Sequence, residues 1–218
     1  MEKIIFLPFR HLDLKNIIFD LGGVILNIDF DRTYREFARL GFDDFDKVFT
    51  LARQSGVFDK LDMGLITPGE FRDEIRRISG KSLTDSQIDK AWNALLLDFP
   101  PQRIAILENL KPYYRTFLLS NTNTIHCEVY NKSLRDRYGV NGLQHYFEKV
   151  YYSHEVHLRK PDAAIFELVL GENSLKPEET LFIDDTEQHV NAARHLGINA
   201  YHLLLDRGEA IDRLFGVV

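Results

Sequence analysis

A single cysteine, Cys127, stands in 218 residues, so no internal disulfide can form. Such usage fits a reducing compartment, here expected to be the cytoplasm. Cys127 reads as a packed apolar residue rather than a nucleophile. No apolar run approaches the roughly 20 residues that a membrane-spanning helix needs, so no membrane partner is expected. The opening stretch, residues 1–14, holds only Ile4-Ile-Phe-Leu-Pro8 as an apolar core. That core is too short and too interrupted for a signal peptide, and it reads as an N-terminal extension with a short strand. An excess of basic charge is missing as well. Lys and Arg number 27 against 33 Asp and Glu, a net charge of −6. Nucleic-acid binders draw their affinity from neutralising phosphates, so a nucleic-acid partner is not expected. Small anionic ligands stay open, because a bound cation reverses the local sign. Internal repeats and low-complexity segments are absent too.

What remains is an ordinary globular composition, 44% hydrophobic and 28% charged, with length enough for one α/β domain and an insertion. The stretch from Lys15 to Leu26 organises the rest. Ile17, Ile18 and Phe19 form a short apolar run of the kind buried on both faces of a parallel sheet. The run ends in Asp20, followed by Leu21, Gly22 and Gly23. Two glycines permit a tight turn and the close approach of a ligand to the backbone. A carboxylate at the end of a buried strand is where open α/β sheets place ligand chemistry. The plainer alternative is an acidic turn that closes a strand.

From Asp29 the pattern turns helical. Tyr34, Phe37, Ala38 and Leu40 fit one helical face, and Phe45, Val48, Phe49 and Ala52 another. Thr67-Pro-Gly-Glu70 carries an N-cap, a first-turn proline and a capping-box glutamate. Thr84-Asp-Ser-Gln87 opens a second such helix into Ile88, Ala91, Trp92 and Leu95. Strands and helices alternate beyond Phe99-Pro-Pro101. A helix through Ile104, Leu107 and Leu110 leads to a strand over 116–119 that ends in Ser120-Asn-Thr-Asn123. A helix over 124–136, a strand over 149–153, the loop Arg159-Lys-Pro161 and a helix over 164–170 come next. A strand over 180–183 ends in Asp184-Asp185. A helix over 190–196 stops at Gly197, and a strand over 200–205 and a short final helix complete the chain. The expected fold class is α/β: a Rossmann-like doubly wound parallel sheet with helices on both faces. Residues 1–29 and 100–218 are expected to form this core, and 30–99 an inserted all-helical cap. Because the insertion leaves the sheet just after Asp20, it is expected to lie over the strand ends as a lid.

Four polar groups stand at or just beyond the C-terminal ends of four expected strands: Asp20, Ser120, Lys160 and the pair Asp184–Asp185. In a parallel sheet those ends converge on one edge. Each alone has a bland reading. Ser120 and Asn121 cap a helix, Lys160 is a solvated loop charge, and the acidic pair compensates a helix dipole. Neighbouring carboxylates repel unless a cation lies between them, and the combination is harder to obtain by accident than any member.

The ordered motifs Phe-Asp-Leu-Gly-Gly-Val, Leu-Leu-Ser-Asn, Arg-Lys-Pro and Phe-Ile-Asp-Asp span most of the chain. Together they resemble the haloacid dehalogenase superfamily, with 30–99 similar to its C1-type cap. Phe-Asp-Leu-Gly, Leu-Ser-Asn-Thr-Asn and Arg-Lys-Pro further resemble its bacterial branch of phosphatases that act on glucose 1-phosphate and related sugar phosphates. The resemblance implies a Mg²⁺-dependent phosphatase of small phosphorylated metabolites. Asp20 would attack phosphorus and form an aspartyl-phosphate. Asp20, the carbonyl of Gly22, and Asp184 or Asp185 would supply hard oxygen ligands to Mg²⁺. Ser120, Asn121 and Lys160 would bind the phosphoryl group, with Lys160 neutralising Asp20 as well.

One departure stands out. Many phosphatases of this superfamily carry a second Asp two residues after the nucleophile, as general acid and base; here that place is Gly22. A general acid is worth about 10²–10⁴-fold, so its loss favours an easily departing group such as an anomeric sugar oxygen. Asp29, near the cap junction, is a candidate substitute, set against its bland reading as an acid near a helix start. His154 and His157, spaced i, i+3, are a weak metal-site candidate. Phe58, Met63, Trp92, Tyr113 and Tyr114 read as packing, and the loop from Phe58 to Gly64 is expected to face the site. Two other functions stay open. One is a 2-haloacid dehalogenase, against which the acidic pair weighs. The other is a non-catalytic member that binds a phosphorylated ligand.

Overall fold

In the computed structural model, which describes residues 4–41 and 56–217, alternate strand residues enter two different cores. Ile17, Phe19, Leu118, Leu181 and Ile183 join one buried cluster. Ile18, Phe117, Leu119 and Phe182 join another on the opposite face. The apolar runs are unbroken because both faces of an all-parallel sheet are covered.

Strand β1 (Ile4–Phe6) precedes the central strand β2 (Asn16–Phe19). Helices α1 (Phe30–Arg39), α2 (Val57–Asp62), α3 (Pro68–Ser79) and α4 (Asp85–Asn93) come after it. Helix α5 (Pro101–Leu110) leads into β3 (Arg115–Ser120), α6 (Thr124–Tyr138), β4 (Lys149–Tyr152) and α7 (Ser153–Val156). Then come α8 (Ala163–Asn173), β5 (Thr180–Asp184), α9 (Glu187–His195), β6 (Asn199–His202) and β7 (Phe215–Val217).

The five-stranded sheet runs β4-β3-β2-β5-β6, with every pair parallel. Helices α5 and α6 place Ile104, Leu107, Tyr130 and Leu134 on the first face. Helices α8 and α9 place Ile165, Phe166, Val190 and Ala193 on the second. The winding therefore reverses at β2, and the crevice between the ends of β2 and β5 is the topological switch point where such sheets bind ligands.

The four described helices between β2 and α5 share their own core, which includes Phe37, Leu61, Phe71, Ile75, Ile88 and Trp92. Both expected capping boxes are present, at Thr67/Glu70 and Thr84/Gln87. The helical face assigned to Phe45, Val48, Phe49 and Ala52 lies outside the described residues. The two segments that join these helices to the sheet run side by side. Asn27 N donates to Asp98 O, Leu97 N to Asn27 O and Asp29 N to Leu95 O, at 2.9, 3.0 and 2.9 Å.

The chain end differs from expectation. In place of a final helix there are two single 3₁₀ turns, Leu205–Arg207 and Ile211–Arg213, and then β7, which pairs antiparallel with β1. Aromatic packing accounts for the difference. Phe6, 1% exposed, meets Tyr201 and Phe215 edge-on, each at 5.2 Å between ring centroids. A three-residue strand with a distant partner leaves no local periodicity to read. Among the described residues no helix is long and apolar enough to cross a membrane.

Candidate active site at the strand ends

The register brings the acids together. Phe19 pairs with Ile183, and Asp20 N extends the ladder with a 2.9 Å bond to Ile183 O, so Asp20 and Asp184 leave neighbouring strands side by side. The chain then turns at once, with Ile25 N and Leu26 N both bonded to Leu21 O at 2.9 Å. Gly23 has φ +72°, and a Cβ there would stand 2.4 Å from Asp185 Oδ2. Only glycine lets the turn lie against that carboxylate. Buried Arg103 anchors the turn from below, donating to Gly23 O at 3.0 Å.

Lys160 connects the acids. Its side chain is 1% exposed, and Nζ donates to Asp20 Oδ1 and to Asp184 Oδ2, each at 2.6 Å. Asn121 holds the lysine's backbone from both sides. Its Oδ1 accepts from Lys160 N, and its Nδ2 donates to Lys160 O, both at 2.9 Å. Asp184 is fully buried. Thr186 N donates to its Oδ1 at 2.8 Å, and His189 Nδ1 lies 3.1 Å from each carboxylate oxygen. Asp185, only partly buried, lines the cavity over the strand ends, whereas Asp184 does not.

The electrostatics arise from that geometry. Burial pushes Asp20 up to about 7, with Lys160 opposing and the Asp184 and Asp185 charges adding to the rise. Burial and the neighbouring Asp184 push Asp185 up to about 6. Burial acts the same way on Asp184, but the Lys160 ammonium and the His189 bond outweigh it and hold that carboxyl well below the usual range. Burial disfavours the Lys160 ammonium, yet Asp184 and Asp20 outweigh it and raise its pKa. One carboxylate oxygen from each of Asp20, Asp184 and Asp185 lies within 4.8 Å of the other two. Three hard oxygens crowded this closely, two of them on carboxyls with raised pKa values, are a donor set that fits a divalent cation such as Mg²⁺.

The cavity has a volume of about 260 Å³ and is lined by Asp20, Gly22, Ser120, Asn121, Lys160 and Asp185 from the sheet side. From above, Phe30, Asp62, Trp92, Leu95 and Leu96 close it, and His126 of α6 stands at the seam. Asp62 and His126 were not singled out in the sequence. The only signal for Asp62 was its place in the loop expected to face the site. Trp92 packs as expected, stacked on Phe58 at 5.0 Å and on His126 at 5.1 Å, and it lines the cavity too.

Other candidates lie apart from the site. Asp29 caps α1 through Asp31 N and pairs with Arg32 and Arg35, which is its bland reading. His154 Nδ1 lies 3.1 Å from Thr122 O and His157 Nδ1 2.8 Å from Met63 O. Among the described residues the two histidines share no metal-ligand cluster. Tyr114 packs and donates to Ile4 O at 2.9 Å, while Tyr113 is 37% exposed. Burial pushes the Cys127 thiol up to about 12, as suits a packed residue and not a nucleophile.

Known proteins similar to this chain share its family and fold. A family model described as haloacid dehalogenase-like hydrolase matches residues 119–202. D-ribitol-5-phosphate phosphatase of Bacteroides thetaiotaomicron is 30% identical over 190 residues, covering 86% of this chain and 91% of the relative. A phosphorylated carbohydrates phosphatase of Thermotoga maritima is 26% identical, over 94% of this chain and 86% of its own length. Among solved structures, a HAD family enzyme of B. thetaiotaomicron in complex with magnesium and inorganic phosphate is similar at TM-score 0.79 and 41% identity, covering 87% of this chain and 93% of that one. The chain belongs to the haloacid dehalogenase-like hydrolase family.

Proposed function

We propose that this protein is a Mg²⁺-dependent phosphatase of small phosphorylated metabolites, acting on sugar or polyol phosphates through an aspartyl-phosphate on Asp20. The observation that carries the reading is Lys160 bridging Asp20 and Asp184 at 2.6 Å, with Asp185 alongside at the floor of a cavity. Relatives that act on ribitol 5-phosphate and on phosphorylated carbohydrates support the substrate class. They widen it beyond a sugar 1-phosphate.

Asp20, the main-chain carbonyl of Gly22, and Asp185 would hold the metal, with Asp184 in the adjoining position. When bound, Mg²⁺ supplies the positive charge that lets an anionic nucleophile meet an anionic phosphate. The remaining work falls to the chain. Asp20 Oδ attacks phosphorus, and Lys160 balances the charge of the carboxylate and of the transferring group. Ser120, buried at the end of β3, donates its hydroxyl to a phosphoryl oxygen. Asn121 and Asp184 fix Lys160, one by its backbone and one by its ammonium. The segment 30–99, with its four described helices, acts as the cap, excluding water above the strand ends and choosing the substrate.

Phosphate release from a panel of sugar and polyol phosphates tests the reading. Turnover is expected with Mg²⁺, none in excess chelator, and none from the folded Asp20→Asn variant. Undiminished release in chelator would contradict it.

A further inference from the structure

Gly22 stands two residues beyond Asp20, so the turn after β2 offers no acid to the leaving group. On the phosphatase reading, on which this inference rests, the leaving group's proton has no source in that turn. The alcohol of a polyol phosphate departs as a strong base, and a positioned donor is worth about 10²–10⁴-fold. Asp29 is not that donor, since it is committed to α1 and does not line the cavity.

We propose that Asp62, the last residue of α2, is the general acid of this enzyme and the base for the hydrolytic water. It lines the same cavity as Asp20, Ser120 and Lys160, and reaches it from the helices between β2 and α5 rather than from a strand end. Its Oδ1 accepts from Asn123 Nδ2 at 2.9 Å. Asn123 is itself held in place: fully buried, it caps α6 through Oδ1, which accepts from His126 N at 3.1 Å. Among the described residues no other side chain or backbone N–H donates to the Asp62 carboxyl, which leaves Oδ2 for a ligand.

The short helix that carries Asp62 is clamped to the loop that carries Lys160. Arg159 forms an ion pair with Asp59. His157 Nδ1 donates to Met63 O at 2.8 Å. Gly64, at φ +63°, lies so close to α7 that a Cβ would stand 2.2 Å from His154 O, an approach only glycine permits. Burial, against the pull of Asn123 and Arg159, pushes the Asp62 carboxyl up to about 6, which suits a group that both gives and takes a proton near neutrality.

The other titratable groups around the cavity are committed elsewhere. Burial drops His126 to about 3, and its Nδ1 is engaged with Asn93 Oδ1 at 2.8 Å. His189 faces Asp184. Burial holds the Tyr130 hydroxyl well above its ordinary pKa, beside Cys127.

The step balances. A carboxylate oxygen of Asp20 bonds to phosphorus as the bond from phosphorus to the alkyl oxygen breaks. The proton on Asp62 passes to that oxygen, and the alcohol leaves neutral. Water then attacks the phosphoaspartate and gives its proton to Asp62, and the bond from phosphorus to Asp20 breaks. Inorganic phosphate leaves, and both carboxyls return to their starting states.

The test uses the Mg²⁺-loaded protein and a series of phosphate monoesters, from 4-nitrophenyl phosphate through less acidic phenols to ribitol 5-phosphate. Wild-type kcat/KM is expected to depend weakly on leaving-group pKa. In Asp62→Asn, which keeps an acceptor for Asn123, the loss on the polyol ester should exceed the loss on the nitrophenyl ester by about 10²-fold or more. Asp62→Glu should recover part of it. An equal loss on every ester, or a change in KM alone, would show that Asp62 merely shapes or binds and would overturn the proposal. Should Asp62→Asn fail to fold, a steep wild-type decline with leaving-group pKa would overturn it just as well. Phosphate release from none of the esters would instead sink the phosphatase reading, and the role of Asp62 with it.

Discussion

Lys160→Met removes the ammonium that holds two buried carboxylates at 2.6 Å and leaves nothing in its place. Each contact at that distance represents about 6 kcal/mol of attraction at an effective dielectric near 20, most of it offset by desolvation. The measurable cost of stripping one partner from such a buried pair is about 3–5 kcal/mol. For a chain of this size that lowers the thermal midpoint by roughly 6–20 °C. The pH dependence has a definite sign. Asp184 is held below the ordinary carboxylate range in the wild type, so its stabilising contribution is full above about pH 4 and is lost as pH falls toward its native value. The gap between wild type and variant should therefore be widest near pH 7 and shrink on acidification, when isolated carboxyls take up protons. Denaturant titrations in chelator at pH 7 and pH 4 measure both, and added Mg²⁺ should restore part of the loss. A variant within about 1 kcal/mol of wild type at pH 7, or a gap that widens on acidification, would show that Lys160 does not hold the two acids as described.

Gly23→Ala should destabilise by more than about 1 kcal/mol and weaken Mg²⁺ binding, because its Cβ would meet Asp185 Oδ2 at 2.4 Å with φ at +72°; thermal melts and a metal titration check the two effects. Asp62 binds its proton more tightly folded than unfolded, about 6 against 3.8. Wild-type stability should therefore fall as pH rises through that window, and Asp62→Asn, which cannot ionise, should show a smaller fall, the remainder coming from Asp20 and Asp185, whose pKa values are also raised, as melts at pH 4 and pH 7 would show. Phe6→Ala should cost about 3–5 kcal/mol in chemical denaturation, since Phe6 is 1% exposed and anchors the β1–β7 pair against Tyr201 and Phe215.

Much of the core is legible because the three central strands, β2, β3 and β5, each announce themselves twice, by an apolar run and by the polar residue where the run stops. Asp20, Ser120, Lys160 and Asp184–Asp185 could be assigned to one edge from strand order alone, since parallel strands end together. Local signals also sufficed for the capping boxes at Thr67 and Thr84. What depended on distant contacts was hidden. The strand Phe215–Val217 exists because Ile4–Phe6 lies beside it, and three residues carry no period of their own. The inward aim of Asp62 is set by Asn123, Gly64 against His154, and Arg159 on Asp59. The difference between Asp184 and Asp185 is equally tertiary. Lys160, Thr186 and His189 engage the first acid, and the second lines the cavity.

The most direct measurement is acid quenching of the Mg²⁺-loaded protein during turnover of ribitol 5-phosphate, with peptide mass mapping of the quenched chain. One phosphoryl group on Asp20, absent from the inactive Asp20→Asn variant, is the expected result. Phosphate carried on a different residue, or steady turnover by Asp20→Asn, would contradict the site described.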